Sequence, residues 1–201
     1  ISQGTIELFG EKFSKPAIRK MKKRRVGFIP EDRKEEGLLL NLSIKANICL
    51  TIIDRLIRLL FVREAAEKET PEEMIKELNI KCNDIHQKLG MLSGGNQQKV
   101  VLGKWIASNS RILLLDEPTR GIDVGAKHEI YLLMSKLSRE GVSIIMVSSE
   151  LPEIVGMSDR VYVMADGEIT GELYENIDSE KIMELATKFT VKKNTNYRGG
   201  K

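Results

Sequence analysis

The sequence predicts an α/β fold in which an inserted helical subdomain interrupts a core built on a parallel sheet. Residues 112–115 form a continuous apolar run, which is typical of a strand buried on both faces of a parallel sheet. A helical pattern follows, and residues 142–147, apolar except for Ser143, predict a second buried strand, so this segment predicts a βαβ unit. In residues 43–91 the apolar side chains instead follow helical spacing. The length of 201 residues, 41% of them apolar, suits one globular domain with or without a small subdomain.

Two strands, at residues 5–9 and 26–29, are predicted to flank a basic segment. The chain carries 32 basic and 29 acidic residues, but residues 11–25 alone hold eight basic side chains and one acidic one. Such a run attracts the phosphates of nucleic acids or lipid surfaces. Its densest part, residues 19–25, has no interleaved aromatic residues that could stack on bases. We therefore favour a solvated surface segment and expect no nucleic-acid partner.

Helices are predicted next along the chain. Ser43 is a suitable N-cap for a helix that runs through Leu56. The residues Thr-Pro-Glu-Glu at 70–73 have the pattern of a capping box with proline at the first helical position. This pattern predicts a second helix from that point to Asn79.

From residue 92 onward helices and strands alternate. Asp123 is a suitable N-cap for a helix that Gly141 ends, and Asp166-Gly167 predicts the turn of a hairpin. The predicted helices span residues 96–107, 124–140, 151–157 and 179–188; the predicted strands span 112–115, 142–147, 160–164 and 168–173, and a polar tail follows the last helix.

Two adjacent carboxylates, Asp116 and Glu117, directly follow the apolar run 112–115. They are therefore expected at the carboxyl end of a parallel sheet, where open α/β folds bind ligands. One carboxylate beside a phosphate site can hold Mg²⁺ or its water, and an adjacent one can polarise an attacking water. Solvation of the strand end is the alternative explanation, because acidic residues commonly follow buried strands.

The segment 92–99, Leu-Ser-Gly-Gly-Asn-Gln-Gln-Lys, has the composition of a loop that faces phosphate. Ser93 is an N-cap residue type, and the two glycines after it let a phosphate approach the main chain closely. The predicted helix 96–107 would direct the positive end of its dipole at the anion. A plain turn between two helices is the alternative.

In this order the motifs resemble those of ATP-binding-cassette (ABC) ATPases, and the resemblance covers residues 26–173. Residues 92–99 resemble the signature motif, 112–117 the Walker B strand with its catalytic glutamate, and 118–123 the loop that contacts the opposite cassette. The resemblance implies a P-loop NTPase-like parallel sheet core with ATP and Mg²⁺ as cofactors.

The resemblance also implies the roles of individual residues at this chain's own nucleotide site. Glu117 takes the position of the catalytic residue, and Asp116 that of the residue that holds Mg²⁺ through water. Glu31 stands where most cassettes have a metal-sensing glutamine, and Ser149 where most have the switch histidine. A serine cannot act as a cation, and a carboxylate repels phosphate unless a metal intervenes. These two replacements argue against fast turnover at this site.

A second group of residues is implied to act on the nucleotide of the opposite cassette, because cassettes work in pairs. The signature residues expected to contact that nucleotide are Ser93, Gly94, Gly95 and Gln97, and those expected in the loop facing the other cassette (the D-loop) are Gly121 and Asp123. The signature loop is thus predicted to be the main functional contribution of the chain.

Finer motifs resemble the second cassette of the fused two-cassette ATPases that power bacterial import of ribose, galactose or xylose. They lie at residues 30–38, 94–99, 119–127 and 147–153. This resemblance implies as partners the first cassette of the same or a paired ATPase, a membrane permease and, indirectly, a periplasmic sugar-binding protein. It also implies a peripheral location on the cytoplasmic face of the inner membrane, with residues 30–43 as the expected permease contact.

One family motif is absent, because the sequence contains no Walker A pattern G-x-x-x-x-G-K-[ST]. We therefore expect a partial ABC ATPase domain that lacks the N-terminal part of its core and is inactive alone. Its predicted parts are 1–42 with the remnant strands, the basic segment and the Q-loop region, 43–91 as the helical subdomain, 92–173 with the signature, Walker B, D-loop and switch regions, and 174–201 as the C-terminal helix and tail.

Two other functions remain open from the sequence. An ABC ATPase that acts on nucleic acid or ribosomes would show salt-sensitive RNA binding. A non-catalytic structural domain would bind no nucleotide in calorimetry with ATP and Mg²⁺.

Overall fold

The computed structural model describes residues 4–14, 17–58, 61–62 and 64–196. Their backbone forms two compact units, one ending at Val147 and one beginning at Ser148. The boundary between the units falls inside the predicted segment 92–173. Each unit is described separately below.

The core of the first unit is a parallel sheet with the strand order β3 (Val26–Ile29), β6 (Ile112–Asp116) and β7 (Ser143–Val147). Both pairings are parallel, so the predicted βαβ unit is confirmed. The crossover helix α6 (Val124–Arg139) connects β6 to β7. Helix α5 (Gly94–Ala107) precedes β6.

The two faces of this sheet differ in burial. Leu113 and Leu115 of β6 are buried on one face, together with Ile29 of β3. On the opposite face, Phe28, Leu114 and Ile145 lie in one cross-strand row, and the outer two side chains of the row are exposed. The prediction that residues 112–115 and 142–147 are buried on both faces is therefore wrong. On this face of β7, the side chains of Ile145 and Val147 are both more than half exposed.

The predicted strand 5–9 is confirmed at its centre, where β1 (Ile6–Leu8) forms an antiparallel hairpin with β2 (Glu11–Phe13). The basic segment contains β2 and, after it, helix α1 (Ile18–Lys23), neither of which the sequence predicted. No side chain of α1 is fully buried, so the helix lies on the surface of the first unit.

The predicted helix through Leu56 is divided into α2 (Ile44–Cys49) and α3 (Ile53–Leu56). Its predicted N-cap is confirmed, because the Ser43 Oγ accepts a hydrogen bond from the amide of Ala46 at 3.1 Å. A short hairpin of β4 (Ile57–Arg58) and β5 (Phe61–Val62) follows.

The helix predicted to begin at the capping box begins earlier, as α4 (Glu64–Glu77), with Pro71 inside it. A proline in a helix cannot donate to the carbonyl four residues before it, here that of Glu67. The Cys49 thiol of α2 donates to this carbonyl at 3.6 Å. The long-range contact satisfies the group that proline leaves unpaired, which explains why the local proline signal gave the wrong start.

A 3₁₀ turn (Leu89–Met91) leads into α5. Helix α5 begins two residues earlier than predicted, and its N-cap Ser93 makes no capping hydrogen bond. Asp123 does cap α6, accepting from the amide of Ala126 at 2.9 Å, as predicted. The core-facing side of α6 carries Ile130, Met134 and Leu137, all buried.

The second unit contains α7 (Leu151–Met157), the antiparallel hairpin of β8 (Val161–Ala165) and β9 (Glu168–Leu173), and α8 (Ser179–Asn196). Its small core packs Val161 and Val163 of β8 against Ile182 of α8. The hairpin is confirmed, whereas α8 runs past the predicted end at residue 188. The last part of the predicted polar tail, residues 197–201, lies outside the described residues.

No helix within the described ranges combines the length and apolar character needed to cross a bilayer.

Candidate functional site

The carboxyl end of β6 places the two predicted carboxylates side by side. Asp116 is the last residue of the strand and pairs with Val147, and the amide of Glu117 donates to the Val147 carbonyl at 2.9 Å. Glu117 has a φ of 46°, a left-handed conformation that is uncommon for a residue other than glycine. Backbone of this kind is held in place by its surroundings and is frequent at functional sites. Thr119, in the turn that follows, is almost fully buried.

The turn from β6 to α6 needs glycine at one position. Gly121 has a φ of 68°, which a residue with a Cβ adopts only at a cost. The Asp123 cap then starts α6. The two predicted D-loop residues are thus both explained by the local backbone: one permits the turn and the other begins the helix.

Arg33 holds this turn from the other side of the site. Its Nη1 donates to the Arg120 carbonyl at 2.9 Å and its Nη2 to the Gly121 carbonyl at 3.2 Å. The side chain is buried, and burial lowers the pKa of the guanidinium, an effect that the nearby Asp32 carboxylate partly offsets. We call the arrangement of Arg33, Arg120 and Gly121 the arginine clamp.

The segment that carries Arg33 is itself fixed by short-range contacts. Asp32 caps the helical turn Arg33–Gly37, accepting from the amides of Lys34 at 2.8 Å and Glu35 at 3.1 Å. Glu31, predicted as a metal-side residue, forms an ion pair with Arg120. A metal at Glu31 would therefore have to compete with the Arg120 guanidinium for the carboxylate.

The signature loop lies against the same clamp. A Cβ added to Gly94 would lie 2.8 Å from Nη2 of Arg33, and one added to Gly95 would overlap the Cβ of Ala126 in α6. Ser93 is exposed at the start of α5. The two glycines therefore permit close packing of the loop on Arg33 and α6, a reason for glycine that the sequence prediction did not include.

Gln97 has a different setting from the rest of the signature. Its side chain is buried, its Nε2 donates to the Leu92 carbonyl at 3.1 Å, and its Oε1 is buried without a partner in the described chain. Direct contact with a nucleotide would require this side chain to leave its position. Beside the loop, Ser93, Gly95 and Asp123 help to line a cavity of about 260 Å³.

The predicted switch residue belongs to the second unit. Ser149 lies in the loop between β7 and α7 and is exposed. Its neighbour Ser148 accepts from the Glu150 amide at 3.0 Å and its Oγ donates to the carboxylate of Glu153, which is buried. These contacts fix the start of α7 within that unit.

The residues present can supply only part of a magnesium site. Asp116 is half-buried at the strand end, and its carboxylate is a ligand type that Mg²⁺ prefers. Among the described residues no group of three or more histidine, cysteine, aspartate or glutamate side chains is placed to hold a metal ion. Asp116 thus fits a role as one ligand, directly or through water, in a site completed by other groups.

Comparison with known proteins decides the family. The sequence model of the ABC transporter family matches residues 1–120. The chain belongs to the ABC transporter family. The resemblance seen in the motifs is therefore confirmed.

Curated relatives of this ABC-family chain are import proteins. It is 49% identical over 188 residues to a ribose import ATP-binding protein of Oceanobacillus iheyensis, and 48% identical over 186 residues to a xylose import ATP-binding protein of Thermoanaerobacter pseudethanolicus. It is 46% identical over 187 residues to a putative ribose/galactose/methyl galactoside import ATP-binding protein of Rhizobium johnstonii. These matches cover 92–93% of the chain but only 36–38% of the relatives. The chain thus spans little more than a third of their length.

Solved structures establish the fold. A dimeric ATP-binding cassette in a post-hydrolysis state with ADP and Pi superposes with a TM-score of 0.71 at 24% identity, covering 86% of this chain and 74% of that one. A nucleotide-free ATP-binding cassette from an ABC transporter superposes with a TM-score of 0.73 at 18% identity, covering 91% and 76%. The predicted P-loop NTPase-like α/β fold is confirmed.

Sequence reasoning missed the arginine clamp and the contact of Gly95 with Ala126. Arg33 lay inside a recognised motif, but nothing in the local pattern showed that the side chain is buried. Its partners are 87 and 88 residues away in sequence, so only the fold brings them together.

Proposed function

We propose that this chain is a nucleotide-sandwiching part of the ATP-binding subunit of a bacterial ABC importer for monosaccharides, in which ATP hydrolysis drives uptake. The observation that carries the proposal is the meeting of three segments in one unit: the Arg33 clamp joins the Glu31 segment to the turn after Asp116, and the signature loop packs on both. The sugar class is inferred from the relatives, which are named as import proteins for ribose, galactose or xylose.

Each residue has a role in this proposal. Asp116 serves as a ligand of Mg²⁺, directly or through water, and Glu117 as the group that polarises the attacking water. Ser93 and the backbone of Gly94 and Gly95 face the phosphates of a nucleotide held by the opposite cassette, where an exposed hydroxyl and the N-terminus of a helix suit an anion. When bound, ATP with Mg²⁺ supplies the free energy that closes the two cassettes.

The proposal places the chain in an assembly. The other cassette, a membrane permease and a sugar-binding protein are its partners, and it acts peripherally at the cytoplasmic face of the membrane. Helix α2 and the segment before it, residues 30–43, form the permease contact. The Arg33 clamp then links that contact to the D-loop by two hydrogen bonds.

A graft tests the function. The segment of the ribose import protein of O. iheyensis that matches this chain is replaced by residues 1–201, and ribose uptake and ATPase activity are measured in cells and membranes. We expect the graft to retain uptake and Ser93→Arg to reduce it at least about tenfold, because the bulky cation blocks the approach of the two cassettes. Ser93 is preferable to Gly95, whose substitution also disturbs packing.

The matched control is Ser138→Arg, an equal change at an exposed position of α6 outside the candidate site. It should leave uptake within about twofold of the graft. Uptake and ATPase activity that are unchanged by Ser93→Arg, in a graft that is itself active, would contradict the proposed role of the signature loop.

A further inference from the structure

A strongly basic cleft lies beside α1, away from the residues discussed so far. It has a volume of about 930 Å³, within the range of about 300–1,000 Å³ typical of small-ligand sites. Helix α1 and the residues just after it line one wall, α3 and the end of α5 the other. The cationic side chains that line it are Arg19, Lys20, Lys22, Lys23, Arg25 and Arg55.

The charge of the cleft is mostly uncompensated. Asp54 is the one acidic side chain among the described residues that line it, and it pairs with Lys22 at 3.1 Å. The Arg55 Nη2 donates to the Ser108 carbonyl at 2.9 Å, which leaves its other N–H groups available. No described residue forms an ion pair with Lys20 or Lys23. Most of these cationic side chains are exposed, and like charges gathered in one concave site raise the local potential that attracts an anion.

The end of the cleft wall formed by α1 is hydrogen-bonded to the parallel sheet through the backbone of Arg25. Arg25 follows α1 with a φ of 61°, at a position where glycine or asparagine usually ends a helix. Its carbonyl accepts from the amides of Arg111 at 2.7 Å and Ile112 at 3.1 Å, at the start of β6. The backbone of Arg25 thus fixes the end of α1 beside the parallel sheet, while the side chains of α1 stay at the surface, as the sequence predicted.

The lining chemistry indicates which anion fits. No aromatic or histidine side chain is among the described lining residues, so a nucleobase would find no stacking surface. The hydroxyls of Thr51 and Ser108 already donate to carbonyls within the chain, those of Lys104 and Trp105. Recognition must therefore come from ammonium and guanidinium groups, whose charge-assisted hydrogen bonds favour phosphate. We propose that this cleft binds a ligand with adjacent phosphate groups, either a free polyphosphate or a phosphorylated lipid headgroup.

The test is calorimetric titration of the 201-residue chain with tripolyphosphate in the absence of Mg²⁺. We expect saturable binding at one site that weakens as KCl is raised. Lys20→Glu/Lys23→Glu should weaken it at least about tenfold, whereas Lys20→Arg/Lys23→Arg should retain it. The control Lys76→Glu/Lys88→Glu makes the same change in net charge at exposed positions outside the cleft and should leave it nearly unchanged.

Co-sedimentation with phosphatidylcholine vesicles, with and without a phosphoinositide, separates the two sources. If the chain binds phosphoinositide vesicles and Lys20→Glu/Lys23→Glu abolishes this binding, the ligand is a lipid headgroup. If the chain binds tripolyphosphate but not the vesicles, the ligand is a free polyphosphate. The proposal is overturned if neither probe binds, or if the control pair weakens binding as much as the cleft pair. Ser93→Arg should leave tripolyphosphate binding intact, so this result is independent of the ATPase proposal. Circular dichroism confirms that each variant is folded.

Discussion

Gly95 lies where the first turn of α5 meets the first turn of α6. A Cβ at this position would overlap the Cβ of Ala126, and the residue is buried. The glycine therefore sets the distance between the signature helix and the helix that follows the D-loop. Any loss of transport on replacing it combines a structural effect with a functional one.

We predict that Gly95→Ala lowers the free energy of unfolding by about 1–3 kcal/mol, because the added methyl group overpacks the contact with Ala126. The double variant Gly95→Ala/Ala126→Gly should recover much of that loss, since it removes the opposing methyl group. Urea unfolding followed by circular dichroism measures both. The control Gly156→Ala, a position in α7 with nothing near its Cβ, should be neutral or stabilising by up to about 1 kcal/mol. A Gly95→Ala chain as stable as its parent would show that the contact adjusts freely.

Arg33 is the second residue whose role depends on distant partners. Arg33→Met removes two hydrogen bonds from a buried side chain to main-chain carbonyls, and we expect a loss of about 1–3 kcal/mol in unfolding free energy. Arg33→Lys should restore only part of it, because a single ammonium cannot reproduce the fork geometry. The exposed neighbour Lys34→Met should change stability by less than about 0.5 kcal/mol. Equal losses for Arg33→Met and Lys34→Met in urea unfolding would rule out the clamp as a stabilising contact.

These residues show which features of the site could be predicted from the sequence. The caps at Ser43 and Asp123 were predictable because each hydrogen bond spans three residues. The burial of Arg33 and the glycine contact with Ala126 were not, because they depend on segments that only the tertiary fold brings together.

Helices α4, α5 and α6 are joined by ion pairs. The Nζ of Lys99, a buried side chain, lies 2.7 Å from the Glu129 carboxylate and donates to the Asn79 carbonyl at 2.9 Å. Lys136 on α6 pairs with Glu77 on α4 at 2.6 Å. The signature helix α5 is therefore joined to α6 by an ion pair and to the residues after α4 by a hydrogen bond, while a second ion pair joins α6 to α4.

Glu129→Gln should lower the free energy of unfolding by about 1–2 kcal/mol, because it leaves the buried Lys99 charge without its partner. The loss stays small because the Glu129 side chain is itself partly exposed to solvent. The hydrogen bond from Lys99 lowers the pKa of the Glu129 carboxyl. The contribution of this ion pair to the free energy of unfolding is therefore fully present above the unfolded-state pKa of about 4.3. It is lost as the pH falls through the lower pKa of the folded state. Urea unfolding at several pH values should show the difference between parent and variant closing on acidification.

The exposed Glu140, which pairs with Lys136 at 3.8 Å, supplies the control. Glu140→Gln should change stability by about 0.5 kcal/mol or less at neutral pH. A gap between Glu129→Gln and its parent that stays constant down to strongly acid pH would contradict the assigned ion pair.

Element boundaries failed where a local signal competed with a tertiary contact. The capping box at 70–73 predicted a helix start, but Pro71 lies inside α4, and the Cys49 thiol satisfies the freed Glu67 carbonyl. The strands of the parallel sheet were predictable because short, mostly apolar runs encode them. Their burial was not, since it depends on what covers each face.

At the scale of the whole chain, the uneven burial of the parallel sheet is the main departure from expectation. Parallel sheets are normally covered on both faces, whereas antiparallel hairpins commonly leave one face in water. In β7, Ile145 and Val147 are 59% and 60% exposed, and Phe28 of β3 lies on the same face as Ile145. An exposed apolar face of this kind favours association with other apolar surfaces.

We predict that Ile145→Thr/Val147→Thr reduces both the binding of an apolar fluorescent dye and concentration-dependent self-association. The unfolding free energy should change by less than about 1 kcal/mol, because threonine suits a strand and the two side chains are exposed. The matched control is Met164→Thr/Ile169→Thr in the β8–β9 hairpin, where the side chains are 64% and 63% exposed. Because antiparallel hairpins tolerate a solvated face, the control should have the smaller effect on both measurements. Dye fluorescence and sedimentation velocity across a concentration series measure both effects for the two pairs of substitutions. If both pairs reduce dye binding and self-association equally, exposed apolar area alone governs association and the open face of the parallel sheet has no special role.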